Sequence, residues 1–269
     1  MKKLKRILIG FGIFISVIYL GICVLLYFYQ EKLIFHPHPL AANYKFNYPG
    51  TYNELNIPTF DGKILNGVLF KTDSSKGLVF YLHGNAGALD TWGDVATTYN
   101  KLGYDIFIMD YRGFGKSTGE IYSQHQFYKD TQTAYDTMKH YYPENKIVLE
   151  GYSIGTGSAA MLAANNHPKL LILQAPYYSL TDLGDHLYPP VTPHFIGKYK
   201  FETYKYLDST KVPVVIFHGT ADKTIYYGSS LKLKEHFKQG DTLFTLPGAG
   251  HGGMNENLDY QRELKNILQ

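Results

Sequence analysis

The sequence predicts an α/β domain of about eight mostly parallel strands, with helices on both faces of the sheet, preceded by one membrane-spanning helix. Three observations carry this. From Gly77 onward, short continuous apolar runs alternate with amphipathic or small-residue stretches, the pattern of βαβ units whose sheet is covered on both sides. Ile7 to Tyr29 runs 23 residues without a charge. A serine between glycines, Gly151-Tyr152-Ser153-Ile154-Gly155, joins one of the apolar runs to a small-residue segment that reads as a helix.

Composition excludes several classes. Of 269 residues 45% are hydrophobic and 16% aromatic, enough buried surface to offset chain entropy, so disorder and low complexity are ruled out. Cys23 has no partner, which excludes a disulfide scaffold. Four basic residues (Lys2, Lys3, Lys5, Arg6) and no acid precede residue 30, so the rest of the chain carries 22 basic against 23 acidic groups. A domain this near to neutrality cannot neutralise many phosphates, and nucleic acid is not expected as a partner.

The division expected is a basic tail and anchor over 1–30 and one domain over 31–269. A charge-free helix over residues 7–29 is about 35 Å long and crosses a hydrocarbon core of about 30 Å. Tyr27, Phe28 and Tyr29 fit an interfacial aromatic belt, and the basic tail is expected to stay cytoplasmic, leaving the domain on the outer face. A cleaved signal peptide fits less well, because the apolar run is too long and no small-x-small site follows.

Strands are expected at Thr51–Ile57 and Lys63–Phe70, joined by the turn Phe60-Asp61-Gly62, and then at Leu78–Leu82, Asp105–Met109, Ile147–Glu150, Leu170–Leu173, Val214–Phe217 and Thr242–Leu246. The 37 residues from Pro176 to Val212, rich in Pro and Tyr, exceed an ordinary connection and are the expected lid, spanning about 176–212.

The serine carries the chemistry. On a sharp strand-to-helix turn it needs small neighbours, which Gly151 and Gly155 supply, and the turn sets the Ile154 amide at a helix N-terminus as a candidate oxyanion donor. A serine hydroxyl is a weak nucleophile without a base and an acid to orient that base. Asp222, in the loop after Val214–Phe217, is the expected acid; His251, in the glycine-rich loop after the last strand, is the expected base. The second oxyanion donor is expected from the His83-Gly84-Asn85-Ala86-Gly87 loop, with the Asn85 amide first choice and Ala86 second.

The order Ser, Asp, His, the serine elbow and the HGNAG loop together resemble the α/β-hydrolase family, and more narrowly its membrane-anchored serine aminopeptidase-like or lysophospholipase-like branch. The segment Asp110-Tyr111-Arg112-Gly113-Phe114-Gly115-Lys116-Ser117 is similar to a stretch common after the fourth strand in that family. The resemblance covers about Thr51 to the C-terminus. It implies an α/β-hydrolase fold and an acyl-enzyme on Ser153, and a serine rather than an aspartate at the nucleophile position points away from dehalogenases and epoxide hydrolases.

Other patterns weigh less. Gly115-Lys116-Ser117-Thr118-Gly119 repeats the serine pattern without a strand before it, and Gly155 to Ala160 fits a dinucleotide fingerprint only loosely. His36 and His38 lack further ligand candidates, so no metal and no cofactor are expected. His83 and His218 are expected to be structural, and Arg112 to hold the loop after the fourth strand rather than substrate. The substrate expected is a small-molecule or lipid-like acyl compound, with no obligate protein partner. An aminopeptidase would need an acid for the substrate amine, with Asp182, Asp185 and Asp208 as candidates. A catalytically silent, membrane-tethered binding module is the alternative of a different class.

Overall fold

The computed structural model describes residues 2–188 and 197–269. Eight strands form one sheet: β1 (Thr51–Pro58), β2 (Ile64–Lys71), β3 (Leu78–Leu82), β4 (Asp105–Met109), β5 (Ile147–Tyr152), β6 (Leu170–Gln174), β7 (Val214–Gly219) and β8 (Thr242–Leu246). Their order is β8-β7-β6-β5-β3-β4-β2-β1, antiparallel where β1 meets β2 and β2 meets β4, parallel elsewhere. The expected strands are all present, with ends shifted by at most two residues.

The central strands are buried almost throughout and mostly apolar because both faces are covered. Along β3, Leu78, Phe80 and Leu82 face one core while Val79 and Tyr81 face the other; along β4, Phe107 and Met109 alternate in the same way with Ile106 and Ile108. The first core is closed by helices Gln124–Lys139 and Gly155–Asn165 through Tyr135, Met138, Ala160 and Leu162. The second is closed by Tyr99 and by Tyr260, Leu264 and Leu268 of the helix Leu258–Leu268. Side-chain caps start several helices: Ser123 accepts from the Gln126 amide, Ser179 from Asp182 and Asn257 from Tyr260, each satisfying an amide the first turn leaves unpaired.

The N-terminal helix runs from Lys2 to Ile34, five residues beyond the charge-free segment and past the expected boundary at residue 30. It extends because the domain supplies partners for its polar last turn: the Lys198 amide donates to Gln30 Oε1 at 2.7 Å and Lys198 Nζ meets Glu31 at 3.1 Å. Phe35 then enters the core against Phe127 and Tyr199. Above that junction large apolar side chains lie open, among them Leu8, Phe14 and Leu20. Among the described residues this is the one helix long and apolar enough to cross a membrane.

Of the expected lid, residues 189–196 lie outside the described residues. Its described parts are built into the domain: Tyr177, Tyr199, Phe201 and Leu207 are buried in the first core, and it contributes helices Leu180–Leu187 and Thr203–Ser209. These aromatics are core.

Candidate active site

The end of β5 turns sharply into the helix Gly155–Asn165, and Ser153 sits on that turn with φ of +53°, a conformation rare for a residue with a side chain. Two glycines make the turn possible. A Cβ on Gly151 would lie 2.7 Å from the Gly155 carbonyl oxygen, and one on Gly155 would lie 2.1 Å from that of Leu82. The elbow therefore rests directly on the end of β3, where the HGNAG loop begins. Small residues in the following helix, Gly157, Ser158, Ala159 and Ala160, let it lie against the sheet.

His251 comes to this turn from 98 residues along the chain, and Asp222 lies 29 residues before His251. His251 Nε2 lies 3.1 Å from Ser153 Oγ, and His251 Nδ1 lies 2.7 Å from Asp222 Oδ2. Asp222 is fixed in turn, its Oδ1 accepting from the Thr224 and Ile225 amides at 2.8 and 2.9 Å. Burial alone would raise the pKa of Asp222, but hydrogen bonds from His218 and His251 outweigh it and hold the carboxyl well below its ordinary range. An ionised Asp222 fixes a proton on Nδ1 and leaves Nε2 to accept from the serine.

The Ile154 amide stands at the start of the helix and, among the described residues, donates to no other group; the same holds for the Asn85 amide. The Ile154 carbonyl is held by Tyr177 Oη at 3.1 Å. Asn85 lies in a loop whose residues Ala86–Gly87 pair in parallel with His36–Pro37, and Trp92 Nε1 donates to the Ala86 carbonyl at 2.8 Å.

The second loop motif braces the first. Asp110 accepts from the Leu89 amide at 3.0 Å, Tyr111 Oη donates to the His83 carbonyl at 2.9 Å, and the Asp110 carboxylate fills the space that a Cβ on Gly115 would need. Arg112, buried, spans Asp61 and Asp130 with bonds of 2.6 to 2.9 Å, a structural role. His83 and His218 are buried: His83 Nδ1 lies 2.7 Å from the Gly84 carbonyl, and His218 bridges Ser230 and the Ile225 carbonyl, with Nε2 3.3 Å from Asp222. His218 thus supports the loop that carries the acid.

Two residues at the site were not among those expected from the sequence. Tyr152 Oη donates to the His251 carbonyl at 2.7 Å. Glu150, fully buried three residues before the serine, accepts from Tyr260 at 3.1 Å and from Gln174, and burial pushes its pKa up to about 7. An apolar strand with a glutamate inside it was the available hint. Of the acids considered for amine capture, Asp182 is engaged by Lys232 and Tyr226 and Asp208 by His236.

Comparison with known proteins bears on this arrangement. The serine aminopeptidase S33 family, Hydrolase_4, matches residues 73–199. The α/β hydrolase domain-containing protein 17C of Xenopus tropicalis is 32% identical over 204 residues, spanning 72% of this chain and 62% of the relative. The chain belongs to the α/β-hydrolase superfamily. An uncharacterized Escherichia coli O157:H7 protein, YfhR, is 25% identical over 262 residues, 93% of this chain and 88% of that one. Among solved structures, the Pyrococcus furiosus esterase Pf2001 superposes with a TM-score of 0.68 at 19% identity, over 87% of this chain and 97% of its own. Est1E of Butyrivibrio proteoclasticus, solved with ferulic acid bound, gives 0.62 at 21% identity over 80% and 96%. These superpositions show the same fold.

Proposed function

We propose that this hydrolase-fold protein is a membrane-anchored serine hydrolase that cleaves a carboxylic ester or related acyl bond. The unbroken hydrogen-bond chain from Ser153 through His251 to Asp222 carries the reading. His251 Nε2 takes the serine proton as Oγ attacks the acyl carbon, and returns it to the leaving group when the tetrahedral intermediate collapses. Asp222 orients the imidazole and stabilises its cation. The unengaged amides of Asn85 and Ile154 donate to the oxyanion. Water activated by His251 then attacks the acyl-enzyme, and Ser153 recovers its proton.

The anchor favours an amphiphilic acyl substrate. With residues 7–29 in the bilayer and the basic tail cytoplasmic, Ile34 stands about 8 Å past Tyr29, the end of the charge-free segment, at a helical rise of about 1.5 Å, in the layer occupied by lipid headgroups. The Asn85 side chain bonds to the Ile34 carbonyl, so the catalytic loop works at headgroup height. The likeness in fold to the esterase Pf2001 and the engaged states of Asp182 and Asp208 favour ester over amino-acid amide.

Labelling with a fluorophosphonate probe tests the nucleophile. Wild type is expected to react and Ser153→Ala to be inert; labelling of the alanine variant would put the nucleophile elsewhere, and an unreactive wild type with native circular dichroism would leave a silent binding module. Competition by acyl esters of graded chain length, beside amino-acid amides, then ranks the substrate classes. A reporter fused to the C-terminus is expected to register the outer face.

A further inference from the structure

The chain leaving the apolar helix is stitched to the loop that carries Asn85. Asn85 Nδ2 donates at 3.0 Å to the carbonyl of Ile34, one of the carbonyls that a helix end leaves unpaired. The His36 amide donates to the Asn85 carbonyl at 2.8 Å, and His36–Pro37 aligns with Ala86–Gly87. The same segment then zips into the second loop: the Gly115 amide donates to the His38 carbonyl at 2.9 Å and the Leu40 amide to the Gly115 carbonyl at 2.8 Å. The helix end is itself pinned to the domain by Gln30, Glu31 and Phe35.

The loop needs such support. It contains Gly84 and Gly87, the latter at φ of +80°, and glycines leave a loop many alternative conformations. On the domain side Trp92 holds the Ala86 carbonyl; on the other side the segment after the helix holds Asn85 through its side chain and its carbonyl. Clamping a residue at both points sets its orientation and the direction of its N–H. An oxyanion donor works only when it lies about 2.7 to 3.1 Å from the developing charge, so a small rotation of Asn85 forfeits most of its effect.

We propose that Ile34–Pro37 is a positioning strap for the Asn85 loop, so that the end of the membrane helix sets the turnover of Ser153 as well as its location. The inference rests on the serine hydrolase reading above. It makes the helix end part of the working site, with Asn85 capping the helix and the helix aligning Asn85.

The test uses full-length protein in detergent micelles and p-nitrophenyl butyrate, a water-soluble ester that needs no delivery by a bilayer. Asn85→Ala keeps the backbone amide and removes the bond to Ile34; Asn85→Asp keeps the side-chain shape and turns a donor into an acceptor. Both are expected to lower kcat and the fluorophosphonate labelling rate by about 10- to 100-fold, less than the roughly 100- to 1000-fold for outright loss of an oxyanion donor because the amide is misaligned and not removed, with KM within about twofold. Replacing residues 4–29 by an unrelated apolar helix, with Gln30–Leu40 retained, should leave kcat unchanged. A wild-type rate in a folded Asn85→Asp protein, or a raised KM at unchanged kcat, would overturn the strap while leaving the serine reading intact. A wild type that does not label defeats the serine reading itself. If Asn85→Ala does not fold, Asn85→Asp decides.

Discussion

The Tyr152 phenol donates to the carbonyl of His251 over 2.7 Å, so the residue just before the serine holds the loop that brings the histidine to it. Tyr152 also packs on Trp92 and against the His251 ring, with ring centroids 5.4 and 5.3 Å apart. One side chain ties together the elbow, the histidine loop and the helix that follows the Asn85 loop.

Tyr152→Phe keeps that packing and removes the hydrogen bond. A net bond of about 0.5 to 1.5 kcal/mol then no longer restrains the His251 loop. We expect kcat on a soluble ester to fall by roughly three- to tenfold at constant KM, with thermal stability little changed. Steady-state kinetics beside a melting curve checks this; an unchanged kcat would show the loop to be held by other contacts.

Asp222→Asn retains the bonds from Thr224 and Ile225 but loses the charge that fixes the imidazole tautomer. Turnover should fall by about four orders of magnitude, as in another triad enzyme, with native circular dichroism retained. A loss below about tenfold would indicate that His218, 3.3 Å from the same oxygen, supports the histidine in its place.

Glu150 gives the fold a pH dependence of known sign. Burial raises its pKa to about 7 from an ordinary value of 4.5, so between these values the unfolded chain releases a proton that the folded chain keeps. Stability then declines as pH rises from about 4.5 to about 7, by as much as about 3 kcal/mol. Glu150→Gln removes this contribution. Thermal melts at pH 5 and pH 8 should differ less in the variant than in wild type, and an unaltered difference would assign the slope to other groups.

Gly155→Ala drives a methyl group to 2.1 Å from the Leu82 carbonyl oxygen, whereas a Cβ at Gly252 meets nothing within 4 Å. Forcing atoms into a packed site costs about 1 to 3 kcal/mol or more, and here the atoms met, of Leu82 and His83, are backbone. Gly155→Ala is expected to lower the melting temperature and abolish labelling, while Gly252→Ala stays folded. Equal melting temperatures for the two would contradict the close packing of the elbow on β3.

Strand positions were legible because each central strand is buried on both faces and therefore reads as a continuous apolar run, as Leu78–Leu82 and Asp105–Met109 do. Ser153 was legible for a local reason: a strained turn between strand and helix admits only small neighbours, and Gly151 and Gly155 mark it in one dimension. Asp222 and His251 were inferred as loop residues after strands, and the expected part of Arg112 in its loop agrees with its two carboxylate partners, Asp61 and the buried Asp130.

What no linear pattern carries is contact between segments far apart in the chain. Tyr152 is an ordinary tyrosine until β5 and the loop after β8 are set side by side, and Glu150 is an ordinary acid until Tyr260, 110 residues on, reaches it. The bond from Asn85 to Ile34 spans 51 residues and joins what the sequence separates into anchor and domain. Hydrophobic periodicity and local backbone strain are written in neighbouring residues, so the chain alone determined its elements and its strained serine turn. Hydrogen bonds between distant loops depend on how the sheet brings strand ends together, and only the folded molecule decided those.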